Sequence, residues 1–409
     1  ISVMGAPEVK EIHNLETQLT PTTNMALHLR YWDLAWNGIK YANTLISRVP
    51  KSNIDNEDDK NQLLAEGYFH RAYWYYLLVN QWGDVPLLLE EVTGPKLDFY
   101  STSRMKILQQ MKTDMEFAVK WLPKNVQPGC VSRAAGEHLL AKIYLCTGDF
   151  QFAVDATTRC INDYGLHLMK ERFGVNASDA SLDVFNDLFQ EDNISASENK
   201  EAIFVVQERY GIEGNVAPKG SARMRNFVPY WCNGAAVKTP DGKQGTTYDA
   251  GPYEGYEWVE KLGRGIAKIR PTNYSQYAIW GKCGNDIRHN DNNWFNISRL
   301  TYNRPASKGG SEEYFGKPIE RAFVSDTMRC YFSFPTVKTL IYKDDINVGK
   351  TPTGGFTDTY VFRLAETYLM RAEAYYWLGN LPLAKEDVNE IRRRAKAPEL
   401  PSVTLDDIL

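Results

Sequence analysis

Apolar residues in the first third of the chain recur at three-to-four spacing, the period of a helix with one buried face. From about Asn24 to Arg48 the stripe is Leu27, Tyr31, Leu34, Gly38 and Tyr41, and Pro50 is expected to end the helix. A second stripe, Leu64, Tyr68, Ala72, Tyr75 and Val79, leads to a turn at Gly83-Asp84-Val85-Pro86 and then an extended piece. A third, Ile107, Met111, Met115, Ala118 and Leu122, runs from Ser103 and is closed by Pro123.

The stretch Val131 to Gly165 then recurs in altered form at Arg363 to Ala395. Aligned on Gly148 and Gly379 without a gap, Ala141 falls on Ala372, Tyr144 on Tyr375, Asp149 on Asn380 and Ala153 on Ala384. Each match has a packing reason. The alanines allow close helix approach, the glycine ends the first helix in the left-handed conformation, and Asp149 or Asn380 caps the second. This is the helix-turn-helix pattern of a tetratricopeptide repeat. Residues 24–165 and 358–396 therefore read as a helix-pair scaffold, and 166–357 as a loop-rich lobe inserted between its two parts.

In that lobe, Glu201 to Arg209 and Met328 to Val337 read as short extended pieces. Tyr210 to Gly316 has no sustained period and is rich in Gly, Asn, Asp and Pro, yet it carries Trp231, Trp258, Trp280 and Trp294. Disordered segments are poor in aromatic residues, so packing or a ligand is expected to order it.

Composition narrows the function classes. With 43% apolar and 24% charged residues, the 409-residue chain can bury a full core. Its net charge of -4 gives no electrostatic case for nucleic acid. The six cysteines do not form a disulfide framework; Cys146 and Cys160 read as core thiols, while Cys232 and Cys283 lie where a pair is conceivable. The six histidines show no HExxH or other ligand spacing, and no phosphate loop or nucleophile elbow is present. Acidic pairs such as Glu90-Glu91 and Asp344-Asp345 read as solvated, so no enzyme is expected. No cofactor is expected either, although oxygen ligands crowd in Asn285 to Asn293 as in a weak calcium loop without the EF-hand spacing.

Five segments in register resemble the SusD/RagB family of outer-membrane lipoproteins of Bacteroidetes-type bacteria. They are YWDLAWNGIKYANTLI, AEGYFHRAYWYYLLVNQWGDVPLL, SRAAGEHLLAKIYLCTGDFQFAV, RPTNYSQYAIW with NDIRHN, and RLAETYLMRAEAYYWLGN with VNEIRRRA. The resemblance covers nearly the whole chain as a single SusD-like domain, residues 1–409. It implies a mainly α fold, a right-handed superhelix of tetratricopeptide-like pairs with an irregular lobe containing short strands. It also implies a cell-surface protein that binds an oligosaccharide and delivers it to a SusC-like TonB-dependent transporter. The family's lipidated cysteine and its C-terminal Glu/Arg-rich helix are not matched here, so the sequence reads as a fragment and lipid anchoring rests on the resemblance alone. The alternative is a tetratricopeptide scaffold that binds a peptide or protein without glycan affinity.

A sugar presents an apolar C–H face and a hydroxyl rim, which call for aromatic platforms and for Asn, Asp, Arg or Gln. Aromatics on a helical stripe are already used by packing, so Trp74, Trp121 and Trp377 are expected to be core or helix-packing residues. The candidates are Trp231 with Tyr230, Trp258, Trp280, and Trp294 with Asn292, Asn293 and Asp291 beside it. The resemblance adds Trp32, and less strongly Tyr31, at the start of the first long helix.

Overall fold

The computed structural model describes residues 2–6, 11–12, 26–213, 220–221, 223–249, 253–341 and 354–409, with side chains from residue 30 onward. Asn24 and the pair Asp344-Asp345 lie outside the described residues. Five long helices follow one another: α1 (Ala26–Arg48), α2 (Glu57–Trp82), α3 (Arg104–Trp121), α4 (Arg133–Thr147) and α5 (Phe150–Asn162). Two more, α6 (Leu364–Trp377) and α7 (Leu381–Arg394), complete the scaffold. Each of α1 to α5 packs on the next, and α6 packs on both α5 and α7. The two repeat copies are thus neighbours in space although the lobe separates them in sequence.

The repeat residues behave as their chemistry requires. Ala141, Ala153, Ala372 and Ala384 are all fully buried. Gly148 ends α4 at φ 79° in the left-handed region, a conformation that carries little steric penalty only for glycine. Asn380 caps α7 by accepting from the Leu383 N–H, whereas Asp149 makes no capping bond. Its carboxylate is held instead by Lys112, 2.9 Å away, and by the Thr147 hydroxyl.

The stripe expected on α1 is displaced. Leu34 and Tyr41 are 48% and 69% exposed, and the buried face is Ala35, Ile39, Ala42 and Ile46. Both sets have helical spacing, and the smaller residues win because α2 approaches closely. A Cβ on Gly38 would sit 2.0 Å from Trp74 Nε1, so only glycine lets that indole lie across α1. On α3 all five expected core positions, Ile107, Met111, Met115, Ala118 and Leu122, are fully buried. As expected at Pro50, α1 ends at Arg48, and the chain continues only as a short 3-10 turn. The proline sits in the first turn of that segment, Val49–Lys51, where a missing N–H is tolerated. Trp377 is 48% exposed and packs α6 on α5 by stacking on Phe150, the helix-packing role expected of it.

Charged pairs fasten the helices. Arg71 on α2 makes a bidentate contact with Asp114 on α3 at 2.8 and 2.9 Å, both side chains being almost wholly buried. Arg371 on α6 does the same to Asp387 on α7 at 2.8 and 2.7 Å. Between α4 and α6, His138 places Nδ1 2.9 Å from the Thr367 hydroxyl and Nε2 3.0 Å from a Glu366 carboxylate oxygen.

The lobe leaves and returns through one two-stranded element. Strand Ala202–Val206 pairs antiparallel with Thr359–Arg363, with Ala202 opposite Arg363 and Val206 opposite Thr359. Within the lobe a separate core gathers Trp231, Tyr302, Phe332 and Phe334. The extended piece expected at Met328 to Val337 is instead two short helical turns, Thr327–Cys330 and Thr336–Thr339, with Phe334 between them bridging to Phe295. Asp326 turns the chain at the first of these by capping the Arg329 N–H. Cys232 and Cys283 are both free thiols, so the conceivable pair does not form.

Candidate functional site

The loop tryptophans separate into distinct environments. Trp231 is 0% exposed, and its indole N–H donates to the Gly263 carbonyl at 3.1 Å. It is the centre of the lobe core and offers no face to a ligand, so its expected role as a platform is corrected to packing. Tyr230 is half-buried beside the Arg329 guanidinium. Trp280 stacks on His289 with centroids 4.4 Å apart, and Trp294, 8% exposed, closes the group edge-on at 5.6 Å. Burial lowers the His289 pKa, so the stack is held around a neutral imidazole. Trp294 is therefore largely enclosed, and Trp280 keeps only part of its surface.

Trp258 lies elsewhere, on the helical turn Glu257–Leu262. Its indole N–H is fixed by the Thr301 hydroxyl at 2.6 Å and its ring meets Phe295 edge-on at 5.8 Å. The half-buried ring forms a wall of a cleft of about 470 Å³ whose other side carries Asp291 and Asn292. The chain around Asn292 is shaped by short side chains. Asn290 accepts from the Asn292 and Asn293 N–H groups, while buried Asn293 bridges Asp183 and the Ile287 carbonyl. Asn292 is left exposed at the rim, its amide touching the Ser181 carbonyl.

Residues not singled out in the sequence complete this cleft: Asn176, Asn186, Gln190, Lys261, Phe295 and Arg299. Arg299 donates to the Asp291 carbonyl at 3.0 Å and lies 3.6 Å from its carboxylate, with both side chains substantially exposed. Lys261, three residues after Trp258, sits 5.4 Å from the ring centroid. Helical spacing could have revealed that neighbour; nothing local announces Asn186 and Gln190, which lie more than sixty residues away in sequence. The cleft combines an aromatic wall with amide, carboxylate and cationic groups, the chemistry a polyhydroxyl ligand requires.

Trp32 lies in a second groove, of about 580 Å³, between α1 and the 86–99 segment, with Trp36, Ile39, Val92 and Phe99. It meets Trp36 and Trp82 edge-on at 5.5 and 5.3 Å. Tyr31 stacks on Trp82 at 5.4 Å. This groove is far more apolar than the first. In the Asn285 to Asn293 segment Asp286 is engaged by Arg288, and among the described residues no three His, Cys, Asp or Glu side chains converge as a metal site.

Comparison with known proteins gives the family. A SusD family profile matches residues 200–407, and a related profile described as starch-binding associating with outer membrane matches residues 7–145. The chain belongs to the SusD family. SusD-like protein P2 of Formosa agariphila is 33% identical over 136 residues, which is 32% of this chain and 27% of that protein. SusD-like protein P38 of the same organism is 23% identical over 98% of this chain and 69% of its own length. A solved laminarin binding SusD-like protein shares the fold at TM-score 0.60 and 21% identity, covering 92% of this chain and 72% of the other. Among the described residues no helix is long and apolar enough to cross a membrane.

Proposed function

We propose that the protein binds an oligosaccharide in the cleft walled by Trp258, at the cell surface, and passes it to a TonB-dependent outer-membrane transporter. The observation that carries the reading is the cleft itself, in which Trp258, Asn292, Asp291 and Arg299 face one space. Trp258 would lie against the C–H face of a sugar ring, and the Asn292 amide, Asp291 carboxylate and Arg299 guanidinium would bond its hydroxyls. Support comes from a relative of the same fold whose name records laminarin binding and from a family description that records association with the outer membrane. The binding role needs no catalytic step. Outer-membrane placement would come from a lipid anchor, and the transporter would be SusC-like.

The test is calorimetric titration with a panel of neutral oligosaccharides that includes laminarin fragments, on the parent and on Trp258→Ala and Asn292→Ala. Binding that weakens in both variants with only a small change in Tm supports the cleft. Binding untouched by Trp258→Ala would move the site elsewhere, to the Trp32 groove first. Silence toward every glycan together with binding of a peptide would replace the reading with a tetratricopeptide-type peptide scaffold.

A further inference from the structure

Where the lobe meets the scaffold, four cationic side chains gather around two phenylalanines. Phe185 and Phe189 touch edge-on with centroids 5.2 Å apart. The Lys338 ammonium lies 5.4 Å from the first ring and 5.3 Å from the second. The Arg394 guanidinium lies 5.9 Å from Phe185, and that of Arg363 5.6 Å from Phe189. Arg288 is close enough to repel both Lys338 and Arg394. The four cations come from four separate segments and the phenylalanines from a fifth, so only the tertiary fold assembles them.

Among the described residues the negative charge beside them does not balance them. Glu201, fully buried, is shared between Arg363 Nη1 at 2.7 Å and Arg394 Nη1. Asp286 is held by Arg288. Among the described residues no carboxylate lies within ion-pair distance of Lys338. Arg394 is 5% exposed, and among the described residues its buried Nε–H has no acceptor. A buried charged donor left without a partner is costly, and such groups in native proteins usually await a ligand or an ordered water. Lys338 is an exposed residue, so solvent and small solutes reach the cluster. Protein nevertheless crowds it: burial, followed by repulsion from Arg363, Arg288 and Arg394, brings the ammonium down to about 7.

We propose that this cluster binds a single oxyanion group, a sulfate, phosphate or carboxylate, carried either by a free ion or by an acidic sugar. Guanidinium forks and an ammonium point charge are the side chains that suit oxyanions, and partial exclusion of water strengthens each contact. An anion seated between Lys338 and Arg394 would satisfy the free Nε–H and offset the excess positive charge. The site is separate from the Trp258 cleft: Thr336 and Leu340 line that cleft, while Lys338 between them turns to the phenylalanines.

The experiment titrates the full chain by calorimetry with sodium sulfate and sodium phosphate, against sodium chloride at matched ionic strength. Parallel arms use glucose 6-sulfate and glucuronate against glucose. Thermal shifts are recorded alongside for the parent, Lys338→Met and Lys338→Arg. Sulfate strengthens burial in any protein, so the informative quantity is the difference between parent and Lys338→Met. The expected result is saturable binding that weakens about tenfold in Lys338→Met, the scale of one charge-assisted contact, and is kept in Lys338→Arg. Tighter binding of the sugar acids than of the inorganic ions assigns an acidic glycan; the reverse assigns a free ion. No saturable binding in the parent, or equal binding in Lys338→Met, overturns the proposal. Trp258→Ala should leave the sulfate response intact, so failure here and failure of the neutral-glycan cleft are told apart.

Discussion

The scaffold and the lobe solve the same physical problem in different ways. Every buried N–H and C=O needs a partner. In α1 to α7 the helix itself supplies it, and side chains are free to pack or to form cross-helix pairs such as Arg71 with Asp114. The lobe has little regular structure, and buried asparagines do the work that hydrogen-bond ladders do elsewhere. Asn303, 1% exposed, accepts from the Thr247 N–H and donates to the Thr247 and Gly255 carbonyls. Asn193, fully buried, donates to the Phe173 and Asp187 carbonyls. The asparagine content of the lobe is thus partly structural, and only exposed members such as Asn292, which spends an amide N–H on the Ser181 carbonyl, keep further capacity for a ligand.

Substitutions can break this contrast, the strongest first. Asp114→Ala should destabilise the scaffold by about 3–5 kcal/mol because it strands the Arg71 charge in the core; chemical denaturation measures it. Trp231→Ala should cost a similar ~3–5 kcal/mol as a large buried truncation. Any folded fraction should still bind glycan like the parent, which would separate lobe core from lobe site. Asn303→Ala should cost about 1–3 kcal/mol for each buried backbone group left unpaired, and a loss near zero would refute the ladder role. Trp258→Ala should mainly cost affinity, about tenfold for the stacking face, with a smaller change in Tm.

The mildest prediction sharpens the scaffold side. Burial lowers the His138 pKa, so the folded state resists a proton that the unfolded chain takes up near pH 6.5. Stability contributed by neutral His138 is present above that value and is lost as pH falls below it, by up to ~1.4 kcal/mol per pH unit. Burial alone would raise the neighbouring Glu366 carboxyl, but hydrogen bonds and charge from His138 and Lys142 outweigh it and bring it to about 2. Glu366 therefore stays ionised across this window. His138→Gln should flatten the slope between pH 6.5 and pH 5, read from denaturation midpoints.

Periodicity sufficed for α3 and for the glycine-centred repeat pairs. On α2 it found Ala72, Tyr75 and Val79, but Leu64 and Tyr68 are only half-buried while Ala65, Phe69 and Leu78 also fill the core, because that helix is enclosed on more than one side. Periodicity misplaced the α1 face, because Leu34 with Tyr41 and Ala35 with Ile39 satisfy the same spacing and only the closeness of α2 decides between them. It also took the 328–337 segment as extended, since β-prone residues there are overruled by the local cap at Asp326. The candidate site was legible in kind and only partly in place. The sequence called for loop aromatics beside asparagines, and Trp258 and Asn292 do share a cleft. Trp231 looked the same on paper and lies in the core, because burial is settled by residues far away in the chain.

Local chemistry, then, determined the helix pairs, their glycine turn and the family resemblance, since each depends on residues within a few turns of one another. The tertiary structure alone decided which tryptophan faces solvent, which asparagines are already bonded to backbone, and that Lys338, Arg363 and Arg394 meet. Those outcomes depend on long-range contacts, and no spacing along a single chain encodes a meeting of segments that the lobe folds together from opposite ends.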